Sequence, residues 1–431
     1  MSHRSTARSP QRGWLATAPA FAALLSARAA GADELSAGDT AWMLTSSALV
    51  LMMTLPGLAL FYGGLVRSKN VLSVLMQCLI SAGMAGLLWV VAGYSLAFSG
   101  EGAFIGDFAK VGLAGIGPDT LSGTIPEYVF VAFQGMFAII TPALMLGAFV
   151  ERMRFGPYLA FITLWLFLVY IPLAHMVWGG GFISGLGAID FAGGLVVHMS
   201  SGFSALVGCI ILGPRRGYGK EPMPPHSLPL TVIGAALLWV GWFGFNAGSE
   251  LAADGVAGLA FLTTNTAAAT AVLAWAGIEW IHRGKPTVLG GATAAVAGLV
   301  AITPACASVT PVGAIWVGLG AAVVCYVAVT LAKPALGYDD SLDVFGVHGI
   351  GGLWGALATA LFISEVTELG YGGQIMAQVK SILFVAVFAP LVSAVILYVL
   401  KAAFGTLRVT EEQEFEGVDL VEHSETAYTT Q

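Results

Sequence analysis

The chain has 431 residues, of which 57% are hydrophobic and 10% charged, and its mean hydropathy is +0.84. These values exclude an ordinary soluble domain, whose water-facing surface needs far more charge, and make the lipid bilayer the solvent. The net charge of −7 says little about the membrane part, because residues 402–431 hold seven acids and one base and so supply −6 of it.

The N-terminus comes first. Arg4, Arg8 and Arg12 precede the apolar run WLATAPAFAALLSARAAGA, which closes in small residues. That is the layout of a signal peptide over residues 1–32, cleaved near residues 30–32, and Arg28 makes the segment a poor permanent span. An uncleaved leader is the alternative. A spanning helix needs about 20 apolar residues to cross a core of about 30 Å. Eleven such stretches follow, at roughly 41–66, 71–98, 127–149, 157–178, 189–213, 229–249, 255–281, 287–306, 311–332, 344–364 and 378–402. The expected fold is therefore an all-α integral membrane protein with a membrane domain over residues 33–402 and an acidic tail over 403–431.

Lys and Arg set the orientation, since basic short loops stay in the cytoplasm. Every other loop is basic: Arg67 and Lys69, Arg152 and Arg154, Arg215, Arg216 and Lys220, Arg283 and Lys285, Lys333, then Lys401 and Arg408. The intervening loops hold Lys110, with Lys380 opening the last helix, against a majority of acids. The N-terminus is expected outside and the C-terminus inside, in a multi-pass cell (inner) membrane protein. The tail reads as solvated and open to contacts, or as a disordered end without a role.

Helices 1–5 and 6–10 form two groups of five, and an odd number per half makes the second an inverted repeat of the first. Helix 5 begins DFAGGLVVH (190–198) and helix 10 begins DVFGVHG (343–349), so each half carries an Asp followed by a His. Two such helices entering from opposite sides bring His198 and His348 toward the bilayer centre. Ionisable groups there are costly and point to function. Either histidine alone is more often just bonded to a neighbouring helix; as a close pair they share a proton and offer a donor and an acceptor to a small polar permeant. Asp190 and Asp343 open helices, where a carboxylate caps free amides, with ion binding as the alternative. His175, near a helix end, has a structural reading.

Helix 6 ends WFGFNAGS (242–249), with Phe245 and Ser249 one turn apart; helix 3 holds AFQGMFA (132–138), with Phe133 and Phe137 one turn apart; Trp178 ends helix 4. Such stripes are usually packing. Together they can cage a desolvated cation, an interaction worth up to about 2 kcal/mol or more. The cysteines Cys78, Cys209, Cys306 and Cys325 lie inside spans without ligand spacing. GPRRGYGKE (213–221) has the wrong spacing for a phosphate loop and no HExxH occurs. No cofactor, metal, nucleic acid or enzymatic activity is expected.

AFQGMFA, TPALMLGAFVER, IPLAHMVWGGG, DFAGGLVVH, GWFGFNAGS, ITPACA and DVFGVHG, in this order, closely resemble the Amt/Mep/Rh ammonium transporters, and the bacterial Amt branch in particular, from about residue 41 to the tail. The resemblance implies an ammonium transporter with an outer ammonium site of Phe133, Phe137, Trp178 and Ser249, supported by Asp190. It further implies an aromatic gate of Phe137 and Phe245 and a twin-histidine pair of His198 and His348. A homotrimer with a pore in each subunit is implied as well, and EEQEFEGVDL (411–420) resembles the segment that accompanies docking of P-II signalling proteins. The rival reading is an ammonium sensor whose tail relays occupancy to a cytoplasmic partner. Those sensors usually carry an added C-terminal domain, for which the tail leaves no room. Water or glycerol channels fit the cage and the histidines poorly.

Overall fold

A computed structural model describes residues 34–428. The signal peptide read at 1–32 lies outside the described residues. The predicted spans are helices: α1 Ala37–Leu65, α2 Ser68–Phe98, α3 Glu127–Phe149, α4 Phe155–Gly185, α5 Gly194–Leu212, α6 Leu228–Gly248, α7 Gly255–Arg283, α8 Val288–Ile302, α9 Pro311–Leu336, α10 Phe345–Leu361 and α11 Gly370–Phe404. Among the described residues nine are long and apolar enough to cross a membrane, α8 and α10 being shorter apolar helices. The shortfall has a local cause. α8 stops at Ile302, where the chain enters buried turns over residues 303–308, and α10 starts only after an acidic loop at 339–343. A hydropathy window runs through the turns that follow α8, because they are as apolar as the helix. α11 starts at Gly370, earlier than the expected 378, since residues 370–377 are helical but too polar to read as membrane.

Helix starts follow from side-chain caps at otherwise free amides. Ser36 caps α1 through Asp39 N (3.2 Å), Asp254 caps α7 through Val256 N (2.9 Å), and Thr310 with Pro311 opens α9. Among the long spans α3 is the most enclosed, with 78% of its apolar stretch buried, while α2 and α11 at 33% are peripheral. α5 packs on α3, α10 and α11, and α6 packs on α1 and α8.

The tail is neither simply solvated nor a disordered end. It forms α12 Glu411–Glu416 and α13 Val418–His423, and it docks on the face carrying the basic loops, called the tail face below. Its acids account for the difference. Asp419 accepts Leu72 N and Ser73 N (3.0 and 2.7 Å) at the start of α2, and Glu422 accepts Phe155 N (2.9 Å) at the start of α4. Glu414 accepts Arg216 N and pairs with Arg408, both at 2.7 Å. Carboxylates that look like a solvated charge run thus meet helix N-termini and guanidinium groups, where they are favoured. Phe415 lies between the cations of Lys69 and Arg216, 5.2 and 4.8 Å from its ring centroid.

Glu414 also ends a buried chain of charges. Arg67 is 4.0 Å from Glu414 and 2.7 Å from Glu151; Arg215 is 3.3 Å from Glu151 and 2.8 Å from Asp339; Arg152 is 3.8 Å from Asp339. This network ties the α1–α2, α3–α4, α5–α6 and α9–α10 loops to the tail.

Candidate functional site: two histidines beneath a column of rings

α5 and α10 both open with a π-helical stretch, Gly194–Met199 and Phe345–Gly349, and each stretch carries its histidine. Such widened turns re-aim side chains and recur at functional sites. The helices meet through glycine. A Cβ on Gly202 would lie 2.2 Å from Gly349 N, and one on Gly352 would lie 3.0 Å from His198 Cβ, so larger residues would force the histidine helices apart. The result is a His198–His348 pair with Nδ1 atoms 3.2 Å apart, ring centroids 5.3 Å apart and an interplanar angle of 24°. One Nδ1 donates and the other accepts. Both rings are buried, and His198 Nε2 has no hydrogen-bond partner among the described residues.

That nitrogen belongs to a residue lining an enclosed cavity, together with His348, Phe245, Trp242, Leu144 and Val197. The cavity leaves about 10 Å³ for the centres of water-sized molecules, room for one such molecule. Its walls are almost wholly apolar, so a bare cation there would lose its hydration without replacement, whereas a small neutral molecule would not.

Rings continue from the histidines toward the face opposite the tail. Phe245 stands 6.0 Å from His198, Phe137 4.2 Å from Phe245, and both Phe133 (5.1 Å) and Trp178 (5.9 Å) flank Phe137. Ser249 Oγ donates to Phe245 O at 2.9 Å, which leaves its lone pairs to accept from another donor. The structure thus brings Phe133, Phe137, Trp178, Phe245, His198 and His348 into one column, with Ser249 tied to its Phe245 level.

Asp190 holds the column's geometry. Its Oδ1 accepts Gly193 N and Gly194 N (3.0 and 2.5 Å), and its Oδ2 accepts Leu195 N and Val196 N (2.8 and 3.1 Å), while its carbonyl accepts Trp178 Nε1 at 2.9 Å. The carboxylate is committed to the N-terminus of α5, which is the capping reading. Asp343 corrects the sequence reading. It sits at φ 61° and pairs with Lys333 at 2.6 Å, and the carboxylate at the start of α10 is Asp340, whose Oδ2 accepts Phe345 N at 2.7 Å. Asp340 precedes His348 by the same eight residues that separate Asp190 from His198, a spacing readable in the sequence once the two segments are aligned on the histidines. Trp242 was also missed. It lies 5.4 Å from His198 and donates to Thr303 Oγ1 at 2.9 Å, and its place one turn before Phe245 was the available signal.

His175 stays outside the column, with its ring nitrogens 3.0 and 2.5 Å from the carbonyls of Ala97 and Gly102, the structural role expected of it. Among the described residues no group of three His, Cys, Asp or Glu side chains could hold a metal ion.

The profile of the Ammonium Transporter Family matches residues 41–428. An ammonium transporter of Bacillus subtilis strain 168 is 49% identical over 401 residues, covering 91% of this chain and 98% of that one. The crystal structure of Mep2 from Candida albicans is similar at a TM-score of 0.82 and 37% identity, covering 88% of each chain. A solved structure described as a sensor Amt protein is similar at a TM-score of 0.85 and 30% identity, covering 90% of this chain and 98% of that one. The chain therefore belongs to the ammonium transporter family, as a multi-pass membrane transporter of ammonium and not an enzyme.

Proposed function

We propose that ammonium binds on the outer side against Phe133, Phe137, Trp178 and the hydroxyl of Ser249, loses a proton near the gate, either to water on the outer side or into the histidine pair, and crosses as ammonia. The path runs between Phe137 and Phe245 and then past His198 and His348. The observation that carries this reading is the sequence of environments along the column. Rings with a hydroxyl whose lone pairs are open come first, then two phenyl rings 4.2 Å apart, then a cavity for one small molecule whose polar atoms belong to the histidines. Rings attract a desolvated cation. The closed pair of rings excludes a hydrated one, and the apolar cavity favours the neutral form, a selection that potassium cannot pass by shedding a proton. Asp190 serves by holding Trp178 and the amides of α5 rather than by meeting the ion.

The tail face is read as cytoplasmic and the membrane as the inner membrane, supported by the basic loops on that face. Eleven spans in two inverted five-helix repeats plus α11 are supported by the matched Asp, π-turn and His segments of α5 and α10. A homotrimer and a P-II regulator at the tail face rest on the family resemblance. The solved sensor keeps a sensing reading in view, because the same cage could report occupancy with little flux.

The test is flux and current in proteoliposomes. Wild type should move ammonium and not potassium, and His198→Ala should lose at least tenfold in ammonium flux or its selectivity. Undiminished, selective flux in His198→Ala would remove the histidines from the mechanism. Ammonium binding without flux in wild type would establish the sensor.

A further inference from the structure

The α2–α3 loop gives large apolar side chains to the surface in a way not expected of a loop in water. Its large apolar side chains point out: Phe104 is 56% exposed, Ile105 40%, Phe108 73% and Val111 39%. Two of its charges are bonded within the protein, although Asp107 stays exposed and Lys110 partly so. Asp107 accepts from Ser99 Oγ (2.5 Å) and Ala109 N (3.0 Å), and Lys110 pairs with the buried Glu127 (2.5 Å) with its ammonium 5.7 Å from the ring centroid of Tyr94. Glu101 and Asp119 are exposed and carry no such bond among the described residues.

This display is built in rather than a chance of loop conformation. The backbone is pinned to α2 by Gly106 N on Leu96 O (2.7 Å) and to α4 by Phe182 N on Ala103 O (2.7 Å), and Gly102 O lies 2.5 Å from His175 Nε2. Exposed apolar groups fixed this way mark a surface that is covered by something else.

Continuity identifies what covers it. Phe104 stacks on Phe182 (5.7 Å), Phe182 meets Phe384 of α11 (5.3 Å), and Phe384 stacks on Phe388 (5.4 Å). This ladder descends onto the outward face of α11, where Leu383, Val387 and Leu391 are each about 60% exposed along a membrane span. The apolar surface of the loop and that of the lipid-facing helix are one surface.

We infer that residues 99–113 form a strap seated in the headgroup and upper acyl region of the leaflet opposite the tail, with Phe104, Ile105, Phe108 and Val111 in contact with lipid. Aromatic and aliphatic side chains interspersed with a few charges suit that boundary, where headgroups meet acyl chains. The strap is hydrogen-bonded to the end of α4 that carries Trp178, so lipid contact there also steadies one wall of the ring column.

The experiment places a nitroxide at Phe108→Cys in the full chain reconstituted in lipid nanodiscs, the four native cysteines being buried. Collision with oxygen is compared with collision with a water-soluble nickel chelate. Val387→Cys serves as the lipid reference and the exposed Asp119→Cys as the aqueous one, and Ile105→Cys stands in if Phe108→Cys misfolds. The expected result is an oxygen-to-nickel ratio at 108 several-fold above that at 119 and close to that at 387. A ratio matching 119 would place the strap in water and overturn the inference. Protection from both agents with spin–spin broadening would instead make the face a contact between copies of the chain, and would overturn it too.

Discussion

The segments from Asp190 to His198 and from Asp340 to His348 are the same device anchored in two ways. In each, a carboxylate precedes a histidine by eight residues and a π-helical stretch carries the ring. Asp190 is held by backbone alone, with four amides on its two oxygens. Asp340 receives Phe345 N on Oδ2, while its Oδ1 is buried without a hydrogen-bond partner among the described residues. Its neighbours are held by charge, Asp339 by Arg215 and Asp343 by Lys333. The surroundings explain the difference. The face opposite the tail has few basic residues, and Lys110 is already paired with Glu127, so a carboxylate there must use amides; the tail face is rich in arginine. One histidine segment is thus fixed by backbone geometry, and the other is flanked by ion pairs.

Substitution at each anchor probes the contrast. Asp190→Ala strands four buried amides, and at about 1–3 kcal/mol for each unmet donor the loss should reach roughly 4 kcal/mol or more. Thermal unfolding in detergent should show the largest drop in the series, with ammonium flux abolished; a drop no greater than that for Asp340→Ala would end the distinction between the halves. Arg215→Ala should come next, at about 3–5 kcal/mol, because it leaves Glu151 and Asp339 buried without their shared partner. Limited proteolysis should then show the tail released, since the network joins it to the loops. A protected tail in Arg215→Ala would mean that α12 and α13 dock independently of the buried charges.

Much of this was legible in the sequence, for identifiable reasons. Long apolar runs located the helices, and the paired Asp and His signals drew His198 and His348 together, because intramembrane polar groups are rare enough to be informative; Phe137 and Phe245 stand out only through their helical spacing and the family resemblance. The helical limits of α8 were not legible, since the buried turns after Ile302 are as hydrophobic as a helix. Nor was Asp340. Asp343 lies nearer the predicted start of α10 and hides the eight-residue match, and only the backbone shows which carboxylate reaches Phe345 N. The docked tail was misread for another reason: composition records that Glu414 and Asp419 are acidic, but their partners Arg408, Arg216 and the amides of α2 lie across the fold.

Within the tail-face half there is a finer distinction, one of sign with pH. Burial would raise the Glu151 carboxyl, but Arg215 and Arg67 outweigh it and hold the group below its usual range; Asp339 is likewise held down, against burial, by Arg215. Such groups bind protons more readily unfolded than folded, so their stabilisation is complete at neutral pH and is lost as pH falls through the lowered values. Asp340 runs the other way. Burial, reinforced by Asp343 and opposed by Lys333, pushes it up to about 6, so the folded protein favours its neutral form and stability falls as pH rises from about 4 to about 6. Asp340→Asn keeps an acceptor for Phe345 N and removes that titration. The variant should unfold at nearly the same temperature as wild type near pH 4, and gain on it by a few degrees by pH 7. Glu151→Gln should show the reverse, losing most at pH 7 and converging with wild type in acid. Parallel pH curves for the two variants would mean that Asp340 and Glu151 share one electrostatic environment, and Asp340 would then count as part of the ion-pair network.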